Sequence, residues 1–74
     1  MTRPTDRPAL LRLGADYLTA YAANDAVTLF HLADHWSDTA LRDATCEVAL
    51  VGLRAALGPA GVDTVCRHLR AVGA

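Results

Sequence analysis

At 74 residues the chain is shorter than a typical domain and has room for a single hydrophobic core. Seven arginines against eight carboxylates leave a formal charge of −1, which excludes a nucleic-acid or membrane partner held by bulk electrostatics but allows a local basic patch. A hydrophobic share of 53% with only 5% aromatics, fifteen alanines and eleven leucines excludes a disordered chain and predicts an all-α fold, a small bundle of four helices.

Lysine, glutamine and isoleucine are absent, so every fixed positive charge is an arginine. This is the codon bias of a GC-rich genome and points to a bacterial source. No apolar run reaches the roughly 18 residues of a membrane span, and no signal-peptide core follows the first residues. The expected location is cytoplasmic, with no membrane partner. Cys46 and Cys66 fall in predicted helices, twenty positions apart. Buried, reduced thiols are the expectation, with a disulfide or a reactive thiol as the alternatives.

Residues 1–5 carry Pro4 and are expected to form a flexible N-terminus, leaving residues 6–74 as a single helical domain. Thr5 or Asp6 can cap helix one, expected over 7–23, with Pro8 in its first turn. At 100° per residue, Leu10, Leu13, Gly14, Tyr17, Leu18 and Tyr21 share one face, while Arg12 and Asp16 form an i,i+4 pair on the other. Asn24-Asp25 then breaks the pattern and caps helix two, expected over 25–36, whose dry side gathers Ala26, Leu29, Phe30, Leu32, Ala33 and Trp36. Ser37-Asp38 repeats the capping signal for helix three over 38–57, and Gly58-Pro59 ends it. Helix four is expected over 59–72, dry along Val62, Val65, Cys66, Leu69 and Val72, with Asp63 and Arg67 paired outside.

Helix three differs from the rest because its apolar residues fall in two opposed arcs. Leu41, Ala44, Val48, Val51 and Ala55 form one; Cys46, Leu50, Leu53 and Leu57 form the other, with Asp43, Glu47 and Arg54 between them. A helix apolar nearly all round is buried on most sides. It is therefore expected to be central, and three short helices can hardly wrap it in so small a chain. The first arc is thus read as the interface of a homodimer, with small residues Ala44, Gly52, Ala55 and Ala56 permitting close approach. The alternative is that the bundle itself buries helix three.

His31 and His35 stand one turn apart on helix two and could chelate a divalent metal, a geometry more often shown by two exposed histidines. Asp43 and Glu47 repeat that spacing on helix three, as a carboxylate pair sharing a metal or a proton or, more simply, a solvated seam between neighbouring helices or a salt bridge to an arginine of a second chain. The Glu-x-x-His signature of di-iron bundles is missing.

In helix four, Thr64-Val65-Cys66-Arg67-His68-Leu69-Arg70 resembles the recognition helix of helix-turn-helix regulators, over about ten residues. The resemblance implies DNA binding with Arg67 and Arg70 on phosphates and His68 beside them. On that pattern Gly61-Val62 would be the turn.

Cys66 and His68 point in different directions and cannot act as nucleophile and base. The single serine, Ser37, serves better as a cap, and the scattered glycines build no phosphate loop. No cofactor or catalytic residue is expected. The sequence therefore reads as a non-enzymatic protein-protein interaction module that self-associates through helix three, with a small DNA-associated regulator or a metal-binding helical protein as alternatives.

Overall fold

The computed structural model describes residues 4–73. The chain forms four helices, α1 (Arg7–Ala22), α2 (Ala26–His35), α3 (Asp38–Leu57) and α4 (Gly61–Gly73), and no strand among the described residues. Of the expected flexible stretch, residues 1–3 lie outside the described residues, as does residue 74 at the other end.

Three of the helices begin on a side-chain cap. Asp6 accepts from the Ala9 N–H at 2.7 Å, Asp25 from the Thr28 N–H at 3.1 Å, and Ser37 from the Ala40 N–H at 3.1 Å. Each satisfies an amide that has no carbonyl below it in the first turn. Asp25 also accepts from the Thr28 hydroxyl at 2.6 Å. That bond first, and the Thr28 amide second, hold its carboxyl below the ordinary value.

The joint between α1 and α2 is a Schellman turn. The Asp25 N–H donates to the Ala20 carbonyl at 2.8 Å and the Asn24 N–H to the Tyr21 carbonyl at 3.1 Å. The residue between them must be left-handed, and Asn24 takes that role at φ 59°. At the end of α3, Gly58 also has a positive φ, 83°, but with ψ −178°, a combination open to glycine alone. The Gly61 N–H then donates to the Gly58 carbonyl at 3.0 Å, so residues 58–60 form a turn and α4 starts at Gly61, two residues later than the sequence suggested.

Helix α3 is central, the one element that touches all three others among the described residues. Helices α1 and α3 run antiparallel: Arg7 pairs with Glu47 at 2.8 Å at one end, while Tyr17 lies by Leu41 and Thr45 at the other. Between these points the helices cross at Gly14. A Cβ there would lie 2.6 Å from the carbonyl carbon of Ala44 and 2.7 Å from Cγ2 of Val48. This contact brings Leu10, Leu13, Leu41 and Ala44 into the core, with Tyr17, Leu32 and Trp36 packed around them.

Several residues expected on dry faces are exposed instead. Leu18 and Tyr21 on α1 and Phe30 on α2 face solvent, because α2 turns Thr28, Leu29 and Leu32 inward and α1 has a second neighbour on one flank only. The Arg12 and Asp16 pair does not form an ion pair among the described residues, whereas Asp63 and Arg67 do at 2.7 Å. The ends of α1 and α2 fall within a residue of expectation, at Ala22 and His35.

Candidate functional site

The two arcs of α3 have different fates along its length. Leu41 and Ala44 are buried inside the chain and Val48 is half-buried, all on the stripe that α1 covers. The same stripe continues through Val51 and Ala55, which lie beyond the first turn of α1 and are exposed. The inferred interface therefore divides: its first part is closed by α1, and Val51 and Ala55 alone stand open. On the opposite arc Leu50 and Leu53 are half-buried, Gly61 at the start of α4 lying close to Leu53 and Leu57, while Leu57 is 55% exposed.

Helix α4 touches α3 and no other helix among the described residues. It meets α3 at a bend of 102°, so it leaves the α3 surface as it advances. Val62, Val65 and Cys66 are half-buried against α3, whereas Leu69 and Val72, farther along the same face, are 59% and 70% exposed. Periodicity places all five on one stripe but cannot say how much of the stripe finds a neighbour.

The total exposed area is large for a chain of this mass. A compact monomer of 7.8 kDa exposes about 4,400 Å², and this chain exposes 5368 Å². The radius of gyration is 13.6 Å, against about 11 Å for a compact chain of this length. The surplus of about 1,000 Å² is close to the ~800 Å² that each partner contributes to a standard protein interface.

Arg67, His68 and Arg70 lie on the exposed side of α4. Arg67 is engaged by Asp63, both side chains remaining more than 70% exposed, so this ion pair is weak and screened by salt. The turn before α4 is residues 58–60 rather than Gly61-Val62, contains a glycine and joins helices at 102°. Helix-turn-helix pairs are joined by three to four residues at about 90–120°.

The four metal candidates do not assemble. Glu47 accepts from Arg7 across the α1/α3 seam at 2.8 Å. Its pairing is thus within one chain. His31 and His35 are exposed on α2, His35 packing edge-on to Trp36 with ring centroids 5.0 Å apart. Among the described residues no three His, Cys, Asp or Glu side chains gather where an ion could sit. Cys46 is exposed and Cys66 half-buried, both as free thiols. The expectation that both are buried fails for Cys46, which is exposed on α3.

Val27, which the sequence did not single out, and Phe30, expected on the dry side, are 67% and 70% exposed on α2, three residues apart on one face with Asp34. The signal was present, since helix two carries apolar residues around more than one side. No family model, no curated protein and no solved structure matches the chain. No single helix among the described residues is long and apolar enough to cross a membrane.

Proposed function

We propose that the chain is a non-enzymatic interaction module that self-associates through its C-terminal portion, the second half of α3 and α4. One observation carries the reading: residues 51–73 expose Val51, Leu57, Leu69 and Val72, and the chain as a whole exposes about one interface's worth of area beyond a compact monomer. A second copy of the chain is the partner that needs no further component, and a small domain gains stability by pairing. The working residues are Val51, Ala55, Leu57, Leu69 and Val72. Leu41, Ala44 and Val48 of the same α3 stripe support them by fixing α3 to α1.

Absolute mass by light scattering behind a sizing column, at two concentrations with reductant, tests the reading. The native chain is expected to be a dimer. Val51→Glu and Leu69→Glu are expected to shift it to monomer with helical circular dichroism retained. A native chain that stays monomeric at both concentrations refutes the proposal.

A second reading is favoured by the α3/α4 joint, whose short glycine-containing turn and 102° bend are those of a helix-turn-helix pair. In it, Arg67 and Arg70 of a dimer contact phosphates. A gel shift at low salt that disappears in an Arg67→Ala, Arg70→Ala double variant supports it; no shift at low salt removes it.

A further inference from the structure

Resting on that reading of a self-associating chain, we propose that the surface covered by α4 of one copy is the outer face of α2 of the other, each copy giving and receiving one such contact. Charge is the first argument. Residues 51–73 hold Arg54, Arg67 and Arg70 against Asp63 alone, a net +2, whereas residues 1–50 hold four arginines against seven carboxylates, a net −3. Pairing two C-terminal portions face to face would bring together two surfaces of the same sign. Pairing α4 with the acidic portion of the partner brings opposite signs together.

Apolar shape is the second argument. The exposed end of the α4 stripe is Leu69 and Val72, flanked by Arg70. The outer face of α2 presents Val27 and Phe30 at helical spacing with Asp34 beyond them, and Asp25 precedes the helix. Phe30, at 70% exposure, is the largest apolar side chain that the fold leaves uncovered on α2. A phenyl ring set between aliphatic side chains and bordered by an ion pair is the usual composition of a binding hot spot and its rim. Among the described residues neither Asp34 nor Arg70 makes an ion pair within its own chain.

Reciprocity is the third. A single α4-to-α2 contact would leave one free donor and one free acceptor and would grow into an open chain. Two contacts about a two-fold axis close the pair and use both surfaces of both copies.

Light scattering across a concentration series, at low and at high salt, tests the inference with Phe30→Glu, Asp34→Arg, Arg70→Asp and the last two combined. The native chain is expected to plateau at the mass of a dimer and to dissociate more readily in high salt, since the ion pairs are rim-exposed. Phe30→Glu is expected to raise the dissociation constant at least about tenfold with circular dichroism unchanged. Asp34→Arg and Arg70→Asp each weaken the dimer, and together restore it.

A Phe30→Glu chain as dimeric as the native one, with Leu69→Glu monomeric, overturns the α2 docking while leaving self-association through α4 intact. Mass that climbs without a plateau overturns the closed two-fold pair. A monomeric native chain overturns both this inference and the reading on which it rests.

Discussion

Replacing Gly14 by alanine should destabilise the protein, although alanine is the better helix former. A Cβ at position 14 would lie 2.6 Å from the Ala44 carbonyl carbon and 2.7 Å from Cγ2 of Val48. Ordinary carbon contacts need about 3.5 Å or more, so α1 and α3 must part by roughly 1 Å at their crossing. Val48 could rotate away, but the Ala44 carbonyl is backbone and cannot. Overpacking of this kind costs about 1–3 kcal/mol, and with a backbone neighbour the upper half of that range applies. Against it stands a gain of about 0.5–1 kcal/mol from replacing a mid-helix glycine. The net loss is about 1–2 kcal/mol, or roughly 5–15 °C in Tm for a domain of this size.

Gly52 supplies the control. Nothing lies within 4 Å of a Cβ built there, so Gly52→Ala should gain the propensity term alone and raise Tm by a few degrees, about 2–8 °C. Thermal and urea unfolding of the two variants at one protein concentration compares them directly. A Gly14→Ala protein as stable as the native chain, or a shift of the same sign as Gly52→Ala, would refute the close α1/α3 crossing.

Asn24, at φ 59° in the Schellman turn, should accept glycine with no loss, whereas Asn24→Val should cost at least about 1 kcal/mol, read by urea unfolding. Asp25 carries a carboxyl held below its ordinary value by Thr28, so its contribution is complete above the unfolded value of 3.8 and is lost as the pH falls through the lower folded value. An Asp25→Asn protein should accordingly show less loss of stability than the native chain between pH 5 and pH 2; equal losses would assign the acid sensitivity elsewhere. The Arg7 and Glu47 pair is 59% and 34% exposed at its side chains, so a double-mutant cycle should give well under about 1 kcal/mol and shrink further in high salt.

Most of the fold was legible because it depends on local chemistry. Asp6, Asp25 and Ser37 each stand just before an apolar run and cap it, and Gly58 ends α3 in the one backbone region that suits glycine. These signals act within four residues, so composition and spacing suffice to find them. The start of α4 was misplaced because Pro59 is as suitable for the first turn of a helix as for the turn preceding one. Only the bond from Gly61 to Gly58 decides between them.

The surface was less legible, and α3 shows why. Its two apolar arcs correctly announced neighbours on two sides, but periodicity measures the direction of a side chain and not how far along the axis a neighbour extends. Helix α1 enters beside Glu47, which leaves Val51 and Ala55 past its first turn. Helix α4 departs at 102°, which leaves Leu69 and Val72 past the edge of α3. Both limits follow from helix length and crossing angle, which Gly14 and Gly58 set through contacts and torsions rather than through hydrophobicity. The same apolar stripe can thus be core at one end and open at the other, and the residue at which it changes is where cover by the chain's own helices ends.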